Sequence, residues 1–375
     1  MISNDDTRAI GRWLALWAVM IALLVLIGGA TRLTESGLSI TEWQPVSGVI
    51  PPLNDSAWTA EFAKYRAIPQ YELLNHGMSL AEFKTIFLWE YLHRLWARLL
   101  GVALAIPFLW FAPRGRVPRD LWPRLTGLLV LLGLQGALGW WMVKSGLSGR
   151  MEVSQYRLAA HLLAALLLYA FTVWMAADLM GPRQERAVNA DRALSTGLAA
   201  LAWLVPFTAA SGAFVAGLRA GKIYNTFPLM GGALVPPGYG QLTPWWRNLF
   251  ENPSAVQFNH RVIAMATFAL AIWVWYRGRR SSNPRMQRAS RLVLAAAFLQ
   301  VALGIATLLL AVPVVLGVAH QAGAVLLFTA ALLALHANGR AASARILEDR
   351  LAASRNAAPD SSQLSAGCCQ LTASQ

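Results

Sequence analysis

Long apolar runs alternate with shorter polar connections along the whole chain. Eight runs stand out, at roughly residues 13–30, 86–111, 122–143, 157–178, 194–215, 257–276, 291–311 and 317–336. About 20 apolar residues suffice for a helix to cross a bilayer. Lipid offers the backbone no hydrogen-bond partners, so a span must satisfy its own amides. The pattern therefore predicts an all-α integral membrane protein with eight transmembrane helices.

The connections alternate in character. Arg114, Arg116 and Arg119 follow the second run; Arg183, Arg186 and Arg192 the fourth; Arg277, Arg279, Arg280, Arg285 and Arg288 the sixth; Arg340 and Arg345 the eighth. Arginine-rich short loops mark the cytoplasmic side, which places both termini there. The outer connections after runs one and five are long. Residues 56–85 mix Trp58, Phe62, Tyr65, Tyr71, Leu73, Leu74, Leu80 and Phe83 with charges, as short amphipathic helices on a membrane face do. The Ala-, Ser- and Gln-rich stretch after Arg345 has the composition of a disordered tail.

Composition agrees. Of 375 residues, 56% are hydrophobic and 13% charged, too sparse in charge for a soluble protein of this length. The formal net charge of +14 would suggest nucleic acid in a soluble chain. Here the arginines sit in the loops and no basic face with interleaved aromatics occurs, so no nucleic-acid partner is expected. Cys368 and Cys369 are adjacent in the tail, which suits neither a disulfide framework nor a zinc site. The first run, after Arg8 and Arg12, leads into GGATRLTESG, which is no small-residue cleavage site, so it reads as a retained span.

A repeat then appears. Gly28, Gly37, Ile40, Trp43 and Gly48 match Gly212, Gly221, Tyr224, Phe227 and Gly232 at a shift of 184. His93-Arg94 matches His260-Arg261 at 167, residues 135–139 match 300–304 at 165, and His161 matches His320 at 159. Four spans per half is an even number, so both halves enter from the same side. The expectation is a parallel repeat: two four-helix bundles related by a pseudo-twofold along the membrane normal. The first would be residues 1–181, with outer loop 31–85. The second would be 182–340, followed by a cytoplasmic tail, 341–375.

His93, His161, His260 and His320 each lie near the outer end of an even-numbered span. A single membrane histidine is more often a helix–helix hydrogen-bonder than a ligand. Four at repeat-related positions, on alternate helices of each bundle, can face one another in pairs, as cofactor ligands in bundle cores do. Imidazole is a good axial ligand for haem iron. Zinc wants three or four clustered ligands, and each pair supplies two. His76 and His336 read as surface histidines.

Glu90 lies one helical turn before His93, on the same face; the matching position in the second half is Gln257. An acid beside one site and an amide beside the other suggests that the first half performs chemistry while the second relays electrons or serves structure. A carboxylate near a reacting centre can move protons or steady a developing cation. Arg94 and Arg261 could snorkel to the outer interface and meet haem propionates. Arg94 could equally pair with Glu90 four residues away.

These residues resemble a known family. The ExxHR of span two, NHR of span six, lone histidines of spans four and eight, and the loop GGATRLTESGLSITEWQPVSGVIPP are similar to haem A synthase over about residues 10–340. The resemblance implies oxidation of the C8 methyl of haem O to a formyl group, giving haem A for cytochrome c oxidase. It implies that His93 and His161 bracket the substrate haem O with Glu90 on its reacting side, and that His260 and His320 ligate a permanent haem b. It also implies an inner-membrane location, a haem O-making enzyme, cytochrome c oxidase assembly factors and an electron donor or acceptor as partners, lipid around the spans, and room for a homo-oligomer. Some members carry a cysteine pair in the first outer loop, and this chain has none there. From the residues alone, two rivals stand beside it: a dihaem electron carrier of the quinol-oxidising cytochrome b type, and a repeat-built transporter.

Overall fold

The computed structural model describes residues 4–44, 47–147, 152–181 and 191–356, the side chains of Asn4 and of 339–356 excepted. Eleven α-helices run through these residues. They are α1 (Asn4–Leu33), α2 (Asp55–Arg66), α3 (Pro69–Leu74), α4 (Leu80–Phe111), α5 (Trp122–Leu147), α6 (Gln155–Met180), α7 (Arg192–Gly217), α8 (Asn248–Glu251), α9 (Pro253–Gly278), α10 (Pro284–Leu309) and α11 (Val314–Asn356). Eight of them, α1, α4–α7 and α9–α11, are long and apolar enough to cross a membrane. Among the described residues there is no named strand, only an isolated bridge between Met230 and Ala233. This is a multi-pass membrane protein.

Local sequence sets where the spans start. Ser79 opens α4 with a capping box: its hydroxyl accepts from the Glu82 amide while the Glu82 carboxylate reaches back to the Ser79 amide. Asn252 and Asn283 cap α9 and α10, each followed by proline at the first helical position. Asp191 caps α7 by accepting from the Ala193 and Leu194 amides. Helix α11 runs on to Asn356, into the stretch whose composition suggests disorder. Residues 357–375, with Cys368 and Cys369, lie outside the described residues, as do Arg183 and Arg186 and the side chains of Arg340 and Arg345.

In chain order the spans make a first set, α1 and α4–α6, and a second, α7 and α9–α11. Helix α1 packs on α4 and α6, and α5 on α4 and α6; likewise α7 packs on α9 and α11, and α10 on α9 and α11. The sets meet where α1 touches α11, α6 touches α7, and α6 touches α11. The four helices at that junction are the most enclosed. In each of α1, α6, α7 and α11, 39% of the apolar window is buried, against 28% or less in α4, α5, α9 and α10. One apolar core, including Trp17, Leu100, Leu104, Leu166, Leu198 and Phe328, runs through both sets. The outer four leave Leu109, Val130, Val262 and Leu292 exposed, as side chains facing lipid should be.

The outer loop holds a second, smaller core. Tyr65, Ile68 and Tyr71 of the α2–α3 segment bury against Leu38, Phe83 and Phe87. Stacked Phe62–Phe83 rings at 4.9 Å and a Trp58–Phe87 edge contact at 5.0 Å tie α2 to the start of α4. The first long outer loop is thus a packed cap over the first four helices.

Candidate functional site

All four histidines that the repeat selects rest on glycines. The His93 ring of α4 lies against Gly28 of α1, so close that a β-carbon there would stand 3.2 Å from Nε2. The His161 ring of α6 lies on Gly139 of α5, with 3.0 Å to Cε1. In the second set, His260 of α9 lies on Gly212 of α7 at 3.1 Å, and His320 of α11 on Gly304 of α10 at 2.8 Å. Gly28 and Gly212 are 184 positions apart and Gly139 and Gly304 are 165 apart, the two shifts of the sequence repeat. Glycine lets an imidazole approach the neighbouring backbone more closely than any other residue allows.

His93 lies within electrostatic range of His161, and His260 of His320. Gln135 donates to the His161 carbonyl at 2.9 Å and lies 3.2 Å from its Nδ1. Ser211 Oγ lies 2.8 Å from His260 Nδ1. His320 Nδ1 is buried with no hydrogen-bond partner among the described residues. No cluster of three or more His, Cys, Asp or Glu able to hold a metal occurs among the described residues. In each set, two histidines with glycine-lined clearance suit an iron that four porphyrin nitrogens already hold. The residues present therefore fit haem.

Glu90 sits at the outer end of the first pair and is 2% exposed. Its Oε2 accepts from Ser39 Oγ at 2.7 Å and from the Ile40 amide at 2.8 Å. Its Oε1 accepts from Arg94 Nη2 at 2.6 Å and Nε at 3.1 Å. Four donors offset the desolvation that makes a buried carboxylate costly. Of the two pairings that the sequence allowed for Arg94, the one with Glu90 is made. Arg94 also donates to the carbonyls of Ile40 at 2.8 Å and Glu42 at 3.0 Å. Acid and base together pin residues 39–42 of the outer loop to α4.

The second set repeats this with the charge removed. Arg261 donates to the carbonyls of Tyr224 and Thr226, each at 2.8 Å, the counterparts of Ile40 and Glu42 at the shift of 184. Gln257 donates to the Tyr224 carbonyl at 3.1 Å, and its Oε1 and Arg261 Nε have no hydrogen-bond partner among the described residues. The histidine-arginine pair therefore does one job in both sets: the histidine turns inward and the arginine holds the outer loop.

Two features escaped the sequence reading. His336 is 7% exposed, not a surface histidine. Its Nε2 lies 2.8 Å from Asp178 Oδ1 and its ring meets the Trp174 ring edge-on at 4.9 Å. It joins α11 to α6 at the end of the spans away from the four histidines. The other is Gln321, next to His320, whose amide crosses to the Val25 carbonyl of α1 at 3.0 Å and fills the space that a side chain at Gly29 would need. His76 is exposed, as expected.

Comparison with known proteins gives one answer. The family described as cytochrome oxidase assembly protein, COX15-CtaA, matches residues 11–332. The chain belongs to this family. Among its relatives, heme A synthase of Parvibaculum lavamentivorans is 48% identical over 334 residues, covering 89% of this chain and 95% of that protein. Heme A synthase of Bradyrhizobium diazoefficiens is 51% identical over 333 residues, covering 88% and 91%. Heme A synthase of Nitrosospira multiformis is 48% identical, covering 88% and 93%. The similarity to this cytochrome oxidase assembly family includes all four histidine-bearing spans.

Proposed function

We propose that this chain makes haem A by oxidising the C8 methyl of haem O to a formyl group, and that the two sets of four helices are pseudo-twofold-related bundles with separate tasks. The observation that carries the reading is the doubled cradle: four histidines, each ring on a glycine, at positions that the repeat matches. His93 and His161 would take the substrate haem O from either face. His260 and His320 would hold a resident haem b, whose iron supplies one-electron redox chemistry when bound. The relatives are named heme A synthase, which supports haem A as the product.

The asymmetry supports chemistry in the first bundle. Glu90 brings a buried negative charge to that site alone, held in place by Ser39, Ile40 and Arg94. A fixed carboxylate at the rim steadies positive charge that develops on a substrate losing hydride or electrons. Arg94 and Arg261 stand at the same rim as cations for the propionates. The outer loop packs onto the start of α4, the helix that carries Glu90 and His93. Both termini face the cytoplasm across a cell inner membrane by the arginine distribution. The partners are a haem O-making enzyme, an electron donor or acceptor and the oxidase assembly machinery.

The test is the haem content of protein purified from cells supplied with haem O. Haem b together with haem O or haem A is the expected result. Haem b alone at two equivalents would make the chain an electron carrier, and no haem at all would overturn both readings.

A further inference from the structure

The seams that hold the first histidine of each pair differ in one consistent way. Along α7 and α9, Ser211 Oγ lies 2.8 Å from His260 Nδ1 and donates its own hydrogen to the Thr208 carbonyl at 2.7 Å. Thr208 Oγ1 in turn lies 2.7 Å from Thr267 Oγ1. In the first bundle the repeat-matched positions are Ile27 for Ser211, Leu24 for Thr208 and Leu100 for Thr267. Three hydroxyls are replaced by three hydrocarbons. Among the described residues no hydrogen bond to the His93 ring is present; its contact is with Gly28.

We propose that Ser211 is the positioning residue that fixes His260 as the firmer haem ligand of its pair, and that Ile27 in its place leaves His93 the looser ligand, the one that can let go. The inference rests on the proposed haem occupancy of both pairs. A serine hydroxyl carries one hydrogen. Since that hydrogen goes to Thr208, the oxygen can only accept from the imidazole, so His260 carries its proton on Nδ1. That tautomer leaves Nε2 as the free lone pair, the form in which imidazole binds iron. The hydrogen bond also fixes the ring's rotation and raises its basicity toward a metal. His93 receives neither benefit. Its ring is held by packing alone, on an apolar seam that does not select a tautomer. A ligand so held binds iron less firmly and can let go. Such release is required of a site whose occupant enters as substrate and leaves as product. A resident redox group requires the opposite.

The experiment is a pair of reciprocal substitutions in the full-length protein, read by haem retention rather than turnover. Ser211→Ala should raise the loss rate of haem b to an apo-myoglobin acceptor by roughly 10- to 100-fold, the effect typical of removing a hydrogen-bond partner from a metal-bound histidine. Ser211→Thr keeps the hydroxyl and should restore retention to near the wild-type rate. Ile27→Ser gives His93 the missing acceptor and should slow release of haem A, so that more of it copurifies. The midpoint potential of the second haem should shift in Ser211→Ala and not in Ile27→Ser. Wild-type loss rates in Ser211→Ala, or haem A retention unchanged in Ile27→Ser with the protein folded, would overturn the proposal. A wild-type protein with no haem would instead overturn the occupancy on which it rests.

Discussion

Glu35 and Arg219 hold each other between the two helix sets, with Glu35 Oε2 2.9 Å from Arg219 Nη2. They are 184 positions apart, so the sequence repeat matches them to each other. Both adopt left-handed backbone, with φ of 58° and 51°, which costs an L-residue about 1–2 kcal/mol. The same strained turn after α1 and after α7 thus aims opposite charges at one another. Glu152 adds a second acid, pairing with Arg219 and with Arg32, the latter at 2.6 Å. Arg32 also donates to the Ala216 carbonyl at 2.8 Å.

This cluster predicts a measurable coupling between the halves. Glu35 and Arg219 are each about one-third exposed, so solvent screening limits the pair to about 0.5–1 kcal/mol. A double-mutant cycle of Glu35→Ala and Arg219→Ala, read by thermal unfolding in detergent, should return a coupling of that size. Glu152→Ala should cost more than Glu35→Ala, because it strips a partner from two arginines. Strictly additive losses for Glu35 and Arg219 would mean that the ion pair contributes nothing.

Glu90→Gln keeps the shape of the side chain and removes its charge. Either orientation of the amide turns an NH2 toward a set of donors, against Ser39 and Ile40 or against Arg94. Breaking a buried charge pair on one side costs about 3–5 kcal/mol. The expected outcome is loss of haem O oxidation by more than about 100-fold, with the second haem retained at its normal amount. Ser39→Ala removes one hydrogen bond to the carboxylate, about 1.5–3 kcal/mol, and should give an intermediate loss. Near-normal turnover in Glu90→Gln, measured by haem chromatography, would remove Glu90 from the reaction.

Much of this arrangement was legible in the sequence because a bilayer leaves so few options. Apolar runs must be helices there. The helix ends were less legible. Helix α1 starts at Asn4 rather than near residue 13, since Arg8 and Arg12 can extend a helix beyond the hydrocarbon while their stems stay with it. The histidine sites were half visible. Gly28 and Gly212 stood out as repeat matches, but only the fold shows that the shared feature is a ring resting on each. The Ser39–Glu90 contact joins residues 51 positions apart, and no local pattern encodes such a pairing. His336 was misread because its partner, Asp178, lies 158 positions away on another helix.

Asp191 gives the fold a defined acid limit at the start of α7. Burial pushes its carboxyl up. The Leu194 amide, the Arg277 guanidinium at 2.7 Å and the Ala193 amide outweigh that, so it titrates below the ordinary aspartate value. A depressed carboxyl contributes stability that is complete above its unfolded value, about 4, and is lost as pH falls through the lower folded value. Thermal stability attributable to this cap should therefore hold from neutral pH to about 4 and decline only below it. Asparagine caps a helix about as well as aspartate, so Asp191→Asn should lose only the Arg277 pair, and with it this acid-dependent step. Asp191→Ala should lose the cap as well, about 1 kcal/mol more. Equal unfolding temperatures for the two variants would show that the cap hydrogen bonds do not contribute.

The glycine cradles test the ligand assignment without touching a histidine. A methyl group at Gly304 would stand 2.8 Å from the His320 ring, at Gly139 3.0 Å from His161, at Gly212 3.1 Å from His260, and at Gly28 3.2 Å from His93. Ordinary carbon contacts begin near 3.5 Å, so each ring must shift by several tenths of an ångström. Glycine to alanine raises intrinsic helix propensity by about 1 kcal/mol, so the helices themselves should not suffer. A displaced imidazole weakens only what it binds. Gly304→Ala and Gly212→Ala should therefore lower the haem b content of the purified protein, with Gly304→Ala the more severe. Gly139→Ala and Gly28→Ala should spare haem b and reduce the haem O or haem A that copurifies, with Gly139→Ala the more severe. Chromatography of the extracted haems separates haem b, haem O and haem A in one measurement. If both pairs of variants lost the same haem, or if none lost any while remaining folded, the assignment of His93 with His161 to one haem and His260 with His320 to another would fail.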